Sequence, residues 1–196
     1  MDKRKGIKMG HIPDMREAED ILQEYNKGDF HLYHARVVSG VLRYFAKEYD
    51  PEREDYWAAA GLLHDVDFEL YPEAHCIKAQ EILRGKGVEE SLVRAVASHG
   101  YGITVDIKPE HIMEKLLYAV DELTGIIGAT AIMRPSKSVM DLELKSVKKK
   151  YKTPSFAAGC SREVIEKGAS MLGMDIDELI EKTILAMRSL NGQLEI

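Results

Sequence analysis

Residues 109–133 read PEHIMEKLLYAVDELTGIIGATAIM, with apolar side chains recurring at Ile112, Leu116, Val120, Leu123 and Ile127. Steps of three and four put these side chains on one face of a helix, whereas a strand would repeat every second residue. Pro109 precedes the pattern, where its missing N–H costs nothing. The stretch predicts one long helix, and Asp121 stacks within it over Leu117 and below Thr124 and Gly125.

The same spacing governs the rest of the chain. Val37, Val38, Val41, Leu42 and Phe45 form a second stripe, and Ile176, Ile180, Ile184 and Met187 a third, preceded by Asp175 as an N-cap. Nine helices are expected, at about 13–25, 30–48, 54–66, 72–85, 89–99, 109–133, 138–148, 161–172 and 175–190. The nearest strand candidate, Gly102 to Ile107, is too short to build a sheet. The fold class is all-α, a helical bundle. It is expected as one domain over 1–196, with a core at about 30–133 and a C-terminal helical extension at about 134–196.

Composition narrows the function. The chain has 27 Lys+Arg against 33 Asp+Glu, a net charge of −6, which argues against a nucleic-acid polymer or an anionic membrane as partner. Cys76 and Cys160 form no CxxC pair, and Met1 to Lys8 is followed by no apolar signal segment. The longest apolar run, Trp57 to Leu63, is far too short to span a bilayer. A cytoplasmic protein is expected.

The histidines carry the chemistry. His34 shares a helix face with Val37, Val38 and Val41; His64 follows Trp57, Ala60 and Gly61 at helical steps; His75 precedes Ala79 and Ile82; His99 follows Leu92, Ala95 and Val96. Four imidazoles and Asp121 thus point into the apolar interior. Burying so many titratable groups is costly unless something compensates them, and a shared cation does so. Asp65, next to His64, reaches the same cation if the site lies near the helix end. His11 and His111 read as surface residues, His31 as a packing or supporting residue, and Cys76 as pointing away.

The ordered series His34, His64-Asp65, His75, His99 and Asp121 resembles the HD superfamily of metal-dependent phosphohydrolases. His34-Ala35-Arg36-Val37 is similar to its first motif, Gly61-Leu62-Leu63-His64-Asp65 to its second, and Ala119-Val120-Asp121-Glu122-Leu123 to its last. The resemblance implies a helical bundle of the HD-domain type in which His34, His64, Asp65 and Asp121 hold one divalent metal (Fe, Mn, Zn, Ni, Co or Mg). His75 and His99 would add a second, with Asp65 bridging. It further implies hydrolysis of a small phosphorylated, nucleotide-like substrate by metal-activated water. Two alternatives stand beside it, a di-iron oxygenase of the same superfamily and a non-catalytic metal- or nucleotide-binding sensor. The chain departs from many hydrolytic members in reading Val66-Asp67-Phe68-Glu69 after the doublet, without their lysine.

Supporting roles follow. Glu69, four residues after Asp65, is a candidate general base or acid; Asp67, Glu69 and Glu122 are candidates to orient imidazoles. Arg36, Lys78, Arg134 and Lys137 are the expected substrate cations. The basic segment Arg134 to Lys152 suits either a lid or, with the C-terminal helices, a homo-oligomer interface, and Tyr101 could stack on a base.

Overall fold

In a computed structural model of the chain, which describes residues 10–194, the expected helices form with shifted ends: α1 (Met15–Tyr25), α2 (Asp29–Tyr49), α3 (Glu54–Leu63), α4 (Ile77–Gly85), α5 (Glu90–Ser98), α6 (Ile112–Ile132), α7 (Leu144–Tyr151), α8 (Arg162–Leu172) and α9 (Ile176–Arg188). No strand occurs among the described residues, only isolated bridges such as Tyr101 with Val105. The architecture is all-α. No helix among the described residues is long and apolar enough to cross a membrane.

Helix α6 is the axis. It buries Leu116, Leu117, Val120, Leu123, Ile126 and Ile127, on more than one face, which is the mark of a helix surrounded by others. His111, exposed as expected, caps it. Its Nδ1 accepts from Met113 N at 3.2 Å, while Glu114 Oε2 accepts from His111 N at 3.1 Å. Around α6 the core takes Val38, Val41, Leu42 and Phe45 from α2, Trp57 and Leu63 from α3, Leu92 and Val96 from α5, and Ile180 from α9, all essentially fully buried. Each such side chain contributes about 1.5–3 kcal/mol of transfer free energy.

Two small residues set how closely the helices approach. A Cβ on Gly61 would lie 2.8 Å from Ser39 Cα and 2.9 Å from Val38 O, so α3 meets the backbone of α2 there. Ser39 Oγ donates to Ala58 O at 2.8 Å across the same crossing. On the other side of the bundle, a Cβ on Gly168 would lie 2.5 Å from Ala119 Cβ, which brings α8 against α6.

Three departures from the expected boundaries matter for the site. Helix α3 stops at Leu63, so residues 64–70 form turns and not a continuing helix. The expected helix 72–85 is broken: Pro72–Ala74 is a single 3-10 turn, His75 is extended at ψ 142, and Cys76 takes a left-handed φ of 64 before α4 begins. The basic segment is not a free lid. Arg134 makes two 3.0 Å bonds to Asp141, and Val139, Leu142 and Val147 are buried. The Arg188 side chain donates to Val139 O and Leu142 O, so the middle of the segment is tied to α9.

Candidate functional site

All six residues of the ordered series meet at one place. His34 Nε2 lies 2.9 Å from Asp121 Oδ1, and His64 Nε2 lies 3.4 Å from both Asp65 Oδ2 and Asp121 Oδ1. Asp65 Oδ1 is 3.4 Å from His75 Nε2 and 3.5 Å from His99 Nε2. Only His34 and Asp121 are held within helices; His64 and His99 sit at the C-terminal ends of α3 and α5, and His75 on the extended turn before Cys76. The centre is therefore built from helix ends and turns converging on two helix faces.

Each inner imidazole is aimed by its other nitrogen. His64 Nδ1 donates to Gly61 O at 2.8 Å and His99 Nδ1 to Val96 O at 2.6 Å, since a carbonyl only accepts. His75 Nδ1 bonds to Asp67 Oδ1 at 2.8 Å, and Asp67 Oδ2 also accepts from Ala79 N at 2.7 Å. Asp67 is fully buried, and it fixes both the turn and the ring. These bonds turn three Nε2 atoms inward.

The inner geometry constrains the protons. His75 Nε2 and His99 Nε2 are 3.0 Å apart, so one carries a hydrogen and the other accepts it. His64 Nε2 is buried and makes no hydrogen bond. Burial alone would push His64 down, but the charges of Asp65 and Asp121 outweigh it and lift the imidazole to about 10. Burial also opposes protonation of His75, which the Asp67 bond lifts to about 9. Burial would raise Asp65 and Asp121, yet the His64 charge holds both well below the usual carboxylate range. The centre thus balances two carboxylates against imidazolium.

The geometry also corrects several assigned roles. Cys76 does not point away: the left-handed turn brings its Sγ to 3.8 Å from His99 Nε2 and 3.9 Å from His99 Nδ1. Burial opposes thiolate formation there, but the His99 and His75 imidazoles beside it lower the thiol to about 6. By their spacing, His34 with His64 and Asp65, and His75 with Cys76 and His99, are two groups that could hold an ion. Glu69 is no general base in the centre, because α3 ends before it. Its Oε2 accepts instead from Lys27 N at 2.8 Å and Gly28 N at 2.9 Å.

Three of the four expected substrate cations are engaged by acidic partners. Arg36 pairs with Glu19, Lys78 with Glu81, and Arg134 with Asp141. Lys137 stands in the turn beyond α6 with a left-handed φ of 50. Glu122, which follows Asp121, orients no imidazole: its Oε2 accepts from Ser161 N at 3.1 Å, and burial with the Asp121 charge raises it to about 7.

The comparisons with known proteins change the reading of this centre. The chain is similar to a tRNA (cytidine(56)-2′-O)-methyltransferase of Picrophilus torridus, 28% identical over 184 residues that take in 86% of this chain and 50% of that protein. It is also similar to a protein of the same name from Thermoplasma volcanium, 30% identical over 101 residues that take in 50% of this chain and 30% of that protein. The chain spans about half or less of the length of the curated relatives it matches. No family model matches, and no solved structure matches.

These relatives overturn the phosphohydrolase resemblance. Their name describes methyl transfer, not hydrolysis of a phosphate ester or anhydride, and supports neither a di-iron oxygenase nor a sensor domain. The substrate they name is a tRNA, against the expected small phosphorylated substrate without a nucleic-acid polymer. Their name likewise gives no support to the expected divalent metal as cofactor. A net negative charge averages over the whole chain, whereas any contact with RNA depends on local groups, so the charge alone does not exclude such a partner.

Proposed function

We propose that this chain is a tRNA-engaging helical module in ribose 2′-O-methylation. In this reading it is one helical unit, core about 30–133 and extension about 134–196, working in the cytoplasm where tRNA is found. The observation that carries it is the reach of the similarity: 86% of the chain aligns with a tRNA 2′-O-methyltransferase, too much to be confined to one helix pair.

The centre does not fit a methyl donor. Its facing nitrogens and oxygens stand 2.9–4.0 Å from one another, which leaves no room among them for an adenosine-bearing sulfonium. No donor-binding role is therefore assigned to the centre.

What the centre offers suits a ribonucleotide. Asp65 and Asp121 present ionised acceptors for a ribose hydroxyl, with the His34 and His75 rings beside them. These four side chains are the part-exposed members, between 11% and 20%, while His64 and His99 lie behind them. Here Asp65 and Asp121 act by binding and orienting the ribose; no step of methyl transfer is assigned to them.

The test is a titration of end-labelled tRNA transcript with the chain, read by fluorescence anisotropy. Saturable binding is expected, weakened at least tenfold by His34→Ala. Absence of saturation up to about 100 µM, the weak end of sequence-independent nucleic-acid binding, contradicts the reading.

A further inference from the structure

Two large apolar rings stand in water beside the polar centre. Phe30, in the first turn of α2, is 74% exposed, and Phe68, in the turn after α3, is 40% exposed. Neither contributes to the core, although each would gain by burial. Their orientations tie them to the centre. The Phe30 ring lies within 4° of parallel to His34 at 6.2 Å, and Phe68 stands at 90° to His75 at 5.0 Å. His31 joins them, 5.7 Å from Phe30 and 5.9 Å from Phe68.

The rings form a continuous arc, His34, Phe30, His31, Phe68, His75, that begins and ends on residues of the centre. Its two ends are the part-exposed imidazoles that lie against the carboxylates, His34 on Asp121 and His75 on Asp65. An arc of flat apolar faces beside two carboxylate acceptors suits a planar heterocycle joined to a hydroxyl-bearing sugar.

We propose that Phe30 and Phe68 form an aromatic clamp that stacks one unpaired nucleobase of an RNA at the mouth of the centre. The base rests on the rings, which places its ribose against Asp65 and Asp121. Stacking is tolerant of base identity, because every base has a π-face, so the clamp supplies affinity and position while sequence is read elsewhere. That the base belongs to a tRNA rests on the reading above; that the rings hold a base rests on their geometry.

The experiment uses two probes, end-labelled tRNA by anisotropy and cytidine 5′-monophosphate by calorimetry, on the full chain and on Phe30→Ala, Phe68→Ala, Phe30→Leu and Phe30→Tyr. Phe30 is exposed, so its variants keep the wild-type unfolding temperature, checked by circular dichroism. The clamp predicts that the Ala and Leu variants bind either probe about 5- to 150-fold more weakly, the range for one stacked base. Phe30→Tyr, which keeps the ring, binds as the wild type does. Wild-type affinity for both probes in Phe30→Ala and Phe68→Ala overturns the clamp, and so does a Tyr variant as weak as the Ala one. tRNA binding that ignores both rings overturns the clamp and leaves the tRNA reading standing. Ring-dependent binding of the mononucleotide by a chain that binds no tRNA keeps the clamp and overturns the tRNA reading.

Discussion

Replacing Gly61 with Ala separates two opposing effects at the helix crossing that carries the centre. Ala is the better helix former by about 1 kcal/mol, so propensity alone predicts stabilisation. The new Cβ would lie 2.8 Å from Ser39 Cα and 2.9 Å from both Ser39 N and Val38 O. Ordinary contact begins near 3.4 Å, so α2 and α3 must part by about 0.6 Å. Overpacking costs about 1–3 kcal/mol, and here the upper end applies, since the obstacle is backbone and no side chain can swing aside. The net loss is about 1–2 kcal/mol, a fall in Tm of about 2–8 °C for a chain of this size. Gly128, also inside a helix, is the control: nothing lies within 4 Å of its Cβ position, so Gly128→Ala raises Tm by about 2–4 °C. Thermal unfolding followed at 222 nm measures both. A Gly61→Ala protein as stable as the wild type, or more so, refutes the packing argument.

Other outcomes follow from single contacts. Glu122 has a folded pKa raised from 4.5 to about 7 by burial and the Asp121 charge, so its contribution is intact below 4.5 and is lost as pH rises through 7. Glu122→Gln therefore matches the wild type at pH 4 and unfolds at a higher temperature above pH 7; parallel curves across that range would show the carboxyl is not buried as described. The Arg162 side chain donates to the carbonyls of Tyr151, Thr153, Phe156, Ala157 and Cys160, gathering the loop between α7 and α8. Arg162→Lys keeps the charge but loses the fork, costing about 1.5–3 kcal/mol in urea unfolding and speeding proteolysis within 153–160. Asp67→Ala removes the buried partner of both His75 and Ala79 N, and should cost about 3–5 kcal/mol in the same assay. A loss under about 1 kcal/mol would mean the turn does not depend on that carboxylate.

The helices were legible because apolar residues three and four apart admit few other readings, and the Leu116, Val120, Leu123 stripe is buried where the spacing puts it. The centre was legible in membership more than in geometry. His34 and Asp121 lie on helix faces as the spacing implies, but His64, Asp65, His75 and His99 arrive from helix ends and turns. The inward aim of His75 depends on an extended backbone at ψ 142 followed by a left-handed Cys76, and neither leaves a periodic trace. The same turn hid Cys76, and the stop at Leu63 removed Glu69 from the side of Asp65. Pairings such as Arg36 with Glu19, 17 residues apart, are set by tertiary contact, so cations near a motif in sequence proved to be engaged elsewhere. Function was the least legible part. A shared arrangement of imidazoles and carboxylates does not fix the reaction, and the relatives' names point to methyl transfer on tRNA.

The most direct measurement is to map where RNA touches the chain. tRNA transcribed with a photoreactive pyrimidine is cross-linked to the full chain, and the modified peptides are identified by mass spectrometry. The account predicts adducts within residues 30–36 and 65–75, the two segments that carry His34, Asp65, His75 and both exposed phenylalanines. Adducts confined to other segments, with these peptides unmodified, would contradict it.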